Sequence, residues 1–323
     1  MVMIPQCPFG TLNFHVSKIG FGGASISGDG GGYGFGPISD DDSLALLGSS
    51  FEKGINLYDT APVYGFRKSE QMIGKAFAGI RDKLFIVSKG GITWDDRKRI
   101  HIDNNPKTVQ NMLERSLKDL RTDYIDLYMI HWPDRNIDIR KPMEYLSRAK
   151  DDGKIRAIGL CNTSDDEITK AGEIDRVDAL QAECNLFNPL PFESLRPTLK
   201  EQKMGFMSWG TLDKGILTGR VTPDRIFDEV DARSWAPWWK KDDRTHKYRA
   251  MKRLGNLLRE TNHSGLELAL GYVLHREEVS SALCGMKNTE QMESAINALN
   301  NLPREDILEE AQSIVDEELN SRS

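Results

Sequence analysis

No run of apolar side chains in this 323-residue sequence approaches the roughly 18 needed to cross a bilayer. The opening, MVMIPQCPFG, lacks the charged and apolar regions of a secretory signal, so a cytoplasmic location is expected. Cysteine is scarce: Cys7, Cys161, Cys184 and Cys284 lie far apart and form no C-x-x-C pair. Neither a disulfide framework nor a thiolate zinc site is therefore expected, and no His-x-His cluster ends an apolar run to suggest another metal. Long basic runs are missing too. With 43 Lys+Arg against 49 Asp+Glu the net charge is −6, which gives no electrostatic footprint for nucleic acid. Also absent is any G-x-G-x-x-G following the first apolar run, the mark of a doubly wound dinucleotide fold. Gly28 to Gly36 is rich in glycine but does not spell it, and reads as a mobile loop over a site.

What is present is a rhythm. Eight short, continuous apolar runs read IGFGG (19–23), INLYDT (55–60), LFIVSK (84–89), IDLYMIH (125–131), RAIGLC (156–161), DALQAEC (178–184), GFMSWG (205–210) and SALCGM (281–286). Continuous rather than alternating runs suit strands buried on both faces of a parallel sheet. Helix signals fall between them: Ser39 before Asp-Asp-Asp, Pro106 opening a run to Leu120, the capping-box form Ser164–Glu167, and Thr289-Glu-Gln-Met. An eight-fold β/α alternation predicts a (β/α)8 barrel, forming a single domain over residues 1–323. Residues 6–16 suit a hairpin on the barrel floor. A long loop, Thr211 to Ser280, separates the seventh and eighth strands and includes a helix near 248–260; the tail after Pro303 reads as a final helix.

Barrel active sites lie at the C-terminal ends of the strands. Asp59, Lys89 and His131 end the second, third and fourth runs, and Tyr64 follows Asp59 by five residues. Singly, Asp59 fits a turn, Tyr64 a loop surface and His131 a satisfied core position. Lys89 resists a purely structural reading, because a lysine ending an apolar strand must find a carboxylate or a cavity. Together the four form a coherent set. A Lys cation paired with Asp lowers the pKa of a Tyr hydroxyl, and a neighbouring His polarises a carbonyl oxygen. Such a set moves a proton to or from an oxygen whose carbon gains or loses a hydride; no side chain can supply that hydride, so a nicotinamide cofactor is expected.

The stretch Asp59-Thr-Ala-Pro-Val-Tyr-Gly65 with Ser69-Glu70, Lys89 closing FIVSKG, and His131 in IHWPD together resemble the aldo-keto reductase superfamily, bacterial type, from about Ile19 to Ala298. The resemblance implies a (β/α)8 barrel using NADP(H) or NAD(H), with Asp59, Tyr64, Lys89 and His131 as the catalytic tetrad. It places Asn162 and Gln181 on the nicotinamide carboxamide and Trp209 stacked on its ring. Leu212, Lys214 and Gly215 fall in the pyrophosphate loop; Gly285, Met286, Lys287 and Gln291 fall on the adenosine-phosphate segment. Lys287 leans the preference toward NADP(H). Two departures stand out: Cys161 replaces the family's serine before Asn162, removing a good hydrogen-bond partner, and Ser294 and Ala295 replace the Glu-Asn that reads adenine.

All six tryptophans lie at or after strand ends. Trp94, Trp132 and Trp235, with Tyr33, are expected to line the mouth and stack on a sugar-like or otherwise hydroxylated substrate. Asp231, Arg233, Lys240 and Lys241 are placed to meet its polar groups. The function expected is NADP(H)-dependent interconversion of an aldehyde or ketone with its alcohol. Two other uses of the same site stay open: net epimerisation without consumption of cofactor, and a cofactor-binding regulatory subunit. A small molecule is the expected partner, and nothing in the sequence sets the oligomeric state.

Overall fold

The computed structural model of the protein describes residues 4–28 and 33–320; residues 29–32 of the glycine-rich stretch lie outside them. Among the described residues twelve strands form: β1 (Gln6–Phe9), β2 (Leu12–Ser17), β3 (Ile19–Gly22), β4 (Leu57–Asp59), β5 (Phe85–Gly90), β6 (Ile92–Trp94), β7 (Ile100–Ile102), β8 (Ile125–Ile130), β9 (Ile155–Cys161), β10 (Ala179–Glu183), β11 (Gly205–Trp209) and β12 (Ser281–Cys284). Eight of them, β3-β4-β5-β8-β9-β10-β11-β12, close into a parallel barrel in chain order, and β12 returns to β3 with Ala282 opposite Ile19. Helices fill the connections, which gives the (β/α)8 barrel expected from the rhythm of apolar runs.

Local signals decide where those helices start. Ser39 accepts from the Asp42 N–H to cap the helix Asp40–Glu52, whose first turn carries three aspartates. Asn105 caps Pro106–Asp119. Ser164 and Glu167 complete a reciprocal capping box at Asp165–Gly172.

Strand phase decides what faces inward. Phe9, Val16, Leu57, Phe85, Val87, Leu127, Met129, Ala157, Ala179, Met207 and Leu283 form one apolar column inside the barrel. Their alternate neighbours Tyr58, Ile86, Tyr128, Ile158, Leu180 and Phe206 pack outward against the helices. At the floor β1 and β2 pair antiparallel as the hairpin expected there. Phe9 is fully buried against β11, and a Cβ on Gly205 would lie 2.6 Å from its ring.

Two elements lie outside the sequence expectations. An antiparallel hairpin, β6–β7, rises from the end of β5 and carries Trp94. The long segment before β12 holds not only Thr245–Thr261, near the helix expected at 248–260, but a further helix, Gly265–Leu274, with six of ten residues buried. That helix is apolar nearly all round, so it lacks the one-sided stripe by which a surface helix is recognised. Among the described residues no helix is long and apolar enough to cross a membrane.

Candidate active site

The interior row continues upward into chemistry. Asp59 stands in phase with Leu57, Lys89 with Phe85 and Val87, His131 with Leu127 and Met129, Cys161 with Ala157, Gln181 with Ala179, and Trp209 with Met207. Strand alternation alone therefore brings six side chains from six strands to one mouth. Lys89 is 0% exposed, and its Nζ donates to Asp59 Oδ1 at 2.6 Å and to the Thr60 carbonyl at 3.0 Å.

Tyr64 arrives from a tight turn. Its N–H bonds the Ala61 carbonyl at 3.0 Å, and Gly65, Phe66 and Arg67 follow with φ of +63°, +50° and +81°. Gly65 is obligatory there, because a Cβ would stand 2.2 Å from the Ser27 carbonyl oxygen. The Tyr64 ring meets His131 edge-on, with centroids 5.8 Å apart at 89°, and Lys89 Nζ lies 5.4 Å from its centre. The structure thus brings all four tetrad residues together.

Burial sets the proton inventory. It pushes the Tyr64 phenol above its ordinary pKa; the Lys89 cation pulls the other way, and burial wins. The expected lowering of the tyrosine pKa is corrected in net sign: the lysine acts as expected, but burial of the phenol outweighs it. Tyr64 therefore holds its proton. Burial disfavours charge on Lys89, yet the Asp59 carboxylate outweighs it and the ammonium is held. His131 is well below its usual value through burial and then the Lys89 charge, so its imidazole is neutral. The result is a neutral phenol and a neutral imidazole beside a fixed cation.

Around the tetrad runs a chain of amides. Gln181 Nε2 donates to Asp59 Oδ1 at 2.7 Å, and Trp209 Nε1 donates to Asn162 Oδ1 at 2.9 Å. Cys161 is also corrected: its thiol donates to Gln181 Oε1 at 3.4 Å and its sulfur accepts from Asn162 Nδ2 at 3.1 Å, so the position keeps its hydrogen bonds. Burial pushes that thiol up to about 12.

Beyond Trp209 the chain turns through Asp213, Lys214 and Gly215, all with positive φ, while Leu212 packs on the core. Lys214 pairs with Glu183 at 2.8 Å and lies 5.9 Å from the Trp209 ring centre. Glu183 escaped the sequence reading, although a charged residue ending an apolar run is the same signal that marked Lys89. On the far side, the buried Met286 and the exposed Gly285 follow β12, and the Lys287 N–H bonds Gln291 Oε1 at 2.9 Å. The Lys287 ammonium donates to the Pro37 carbonyl. Ala295 is buried in its helix and Ser294 half-buried beside it.

A strap joins two distant loops over this end of the barrel. Phe35 forms an antiparallel bridge with Asp231, and the Ala232 N–H bonds the Gly34 carbonyl at 2.9 Å. Arg233 grips both carboxylate oxygens of Asp231, at 3.0 and 2.7 Å, and donates to the Lys214 carbonyl at 2.8 Å. Asp231 and Arg233 thus serve each other and the strap, which corrects their expected role facing a substrate; Lys240 and Lys241 are exposed. Of the mouth aromatics, Tyr33 meets Trp235 edge-on at 5.9 Å and Trp94 packs on Phe66 at 5.2 Å. Trp132 and Trp235 are 41% and 40% exposed, open enough for a ligand to cover.

Comparison with known proteins bears on the fold and the family. The chain is 33% identical over 281 residues, 86% of its length and 83% of the relative's, to the aldo-keto reductase YhdN of Bacillus subtilis (strain 168). It is 27% identical over 309 residues, 91% of its length and 93% of the relative's, to the NADH-specific methylglyoxal reductase of Escherichia coli (strain K12). Among solved structures, the glycerol dehydrogenase AKR11B4 from Gluconobacter oxydans superposes with a TM-score of 0.84 at 28% identity, covering 97% of this chain and 96% of that one. The sequence profile of the aldo/keto reductase family matches residues 18–315, and the chain belongs to that family of oxidoreductases.

Proposed function

We propose that this aldo/keto reductase interconverts an aldehyde or ketone with its alcohol using NADP(H), and that Tyr64 is its general acid/base. The observation that carries the reading is the Tyr64 ring set edge-on to His131, with Lys89 Nζ, paired to Asp59 at 2.6 Å, 5.4 Å from its centre. In the reducing direction His131 donates a hydrogen bond to the carbonyl oxygen, and Tyr64 gives that oxygen a proton. Lys89 stabilises the phenolate left behind, and Asp59 holds Lys89 in place. A bound nicotinamide supplies or accepts the hydride.

The residues present fit such a group. Trp209 offers a half-buried aromatic face, Asn162 and Gln181 offer amides beside it, and Lys214 and Gly215 turn the backbone next to it. Lys287 stands two residues before the helix Thr289–Ala298, where helix N–H groups favour phosphate. It is the group for a 2′-phosphate, and its charge supports NADP(H) over NAD(H). Tyr33, Trp94, Trp132 and Trp235 supply aromatic faces for a small hydroxylated carbonyl compound. The named activities of two relatives, a glycerol dehydrogenase and a methylglyoxal reductase, both concern small oxygen-rich molecules.

Tyr64→Phe tests the central role. Turnover is expected to fall by about 10²- to 10⁴-fold, while affinity for the reduced cofactor stays within about twofold; parental turnover would remove Tyr64 from proton transfer. Titrating tryptophan fluorescence with NADPH and NADH tests the cofactor. Tighter NADPH binding, reversed by Lys287→Glu, is expected, and equal binding in both proteins would dismiss the lysine.

A further inference from the structure

Asn162 and Gln181 have few hydrogen-bonding options left. A side-chain amide has two N–H donors and an oxygen with two acceptor positions. Asn162 spends both donors, one on the His131 carbonyl at 3.2 Å and one on Cys161 Sγ at 3.1 Å. Its oxygen already takes the Trp209 indole N–H at 2.9 Å, which leaves Asn162 a single acceptor position and no donor. Gln181 spends one N–H on Asp59 at 2.7 Å and one acceptor position on the Cys161 thiol at 3.4 Å, so one N–H and one acceptor position remain, and Gln181, unlike Asn162, can still donate. Turning the Asn162 amide over would face its N–H₂ to the indole N–H and its oxygen to the His131 carbonyl, two repulsive contacts. Indole N–H and thiol therefore decide which end of Asn162 is available.

We propose that Cys161 and the Trp209 N–H are positioning groups that lock the Asn162 amide so that a nicotinamide carboxamide is read in one orientation, its N–H₂ on Asn162 and its carbonyl on Gln181. The inference rests on the cofactor role proposed above. It adds that the cysteine at 161 is a working replacement, able to give and accept a hydrogen bond at once, and that the tryptophan contributes through its nitrogen as well as its ring. One connected chain, from Trp209 through Asn162, Cys161 and Gln181 to Asp59, then couples the cofactor pocket to Lys89.

The test measures dissociation constants of NADPH, followed by the fluorescence of the reduced nicotinamide, for the parent, Cys161→Ser, Cys161→Ala and Trp209→Phe. An analogue carrying an acetyl group in place of the carboxamide, with a carbonyl but no N–H₂, is titrated alongside. Cys161→Ala and Trp209→Phe are each expected to weaken NADPH binding about 3- to 10-fold, the worth of one ordinary hydrogen bond. Cys161→Ser should stay within about twofold, because a hydroxyl also gives and accepts. The parent should bind the acetyl analogue at least about 5-fold more weakly than NADPH, and this ratio should shrink in Cys161→Ala. A Cys161→Ser protein as weak as Cys161→Ala, or a Cys161→Ala protein that binds and discriminates like the parent, overturns the proposal. A parent that binds neither NADPH nor NADH overturns the cofactor reading itself.

Discussion

Lys89 shows most plainly how single residues carry the site. A fully buried ammonium is tolerated only because Asp59 lies 2.6 Å away, and each charge makes the other bearable. Lys89→Met should lower stability by about 3–5 kcal/mol, read as a fall in the denaturant midpoint, because the Asp59 carboxylate is left buried without its cation. Adding Asp59→Asn should recover much of that loss; a double variant no better than the single one would mean that the pair is not the cause. The lysine, the aspartate, the histidine and the tyrosine were all legible in the sequence, because burying a charged or protonic group at the end of an apolar run is costly unless a site there uses it. The net direction of the Tyr64 shift was not. It depends on how far neighbouring groups bury the phenol, and that is set by packing. Cys161 was misread for a related reason: sequence shows a weaker hydrogen-bonding atom, while only geometry shows that it has two partners within reach.

At the level of elements, the seam between the helices Lys68–Ala76 and Pro106–Asp119 and the outer wall of β5 and β8 holds a buried carboxyl. Glu70 is 0% exposed; Ser88 donates to one of its oxygens at 2.7 Å, while the other oxygen, Ser116 Oγ and Tyr128 OH lack hydrogen-bond partners. Burial pushes the Glu70 carboxyl up to about 7, with the Ser88 bond opposing. A carboxyl raised on folding contributes stability that is intact below its unfolded value of 4.5 and is lost as pH climbs through about 7. Stability should therefore decline between those limits by roughly 3 kcal/mol at most. Glu70→Gln should flatten that slope in denaturant titrations across the same range, and an unchanged slope would show that the group ionises freely. The eight barrel strands and the helices starting at Asp40, Pro106, Asp165 and Thr289 were legible because their signals are local: apolar runs, N-caps and a proline at a helix start. The helix Gly265–Leu274 was hidden by its own burial, and the hairpin β6–β7 by its shortness and its charged tip.

The whole molecule is closed by its last strand. Parallel pairing of β12 with β3 joins residues more than 260 apart, and without it both β3 and β11 would be open edges. A chain ending before Ser281 should therefore lose cooperative unfolding altogether, seen by calorimetry as the absence of a sharp transition; a retained transition would show that a seven-stranded remnant is self-sufficient. The floor has a different consequence. Phe85 packs against Phe9 and Phe14 at tilted angles, with centroids 4.9 and 5.3 Å apart, so the base of the apolar column below Lys89 is filled with aromatic rings. With that base filled, the proton that Tyr64 gives up in its proposed role as general acid is replaced through the mouth, the same doorway by which a product would leave. On that proposal, recharging the acid is queued behind product departure, and each turnover resets the site from one side only.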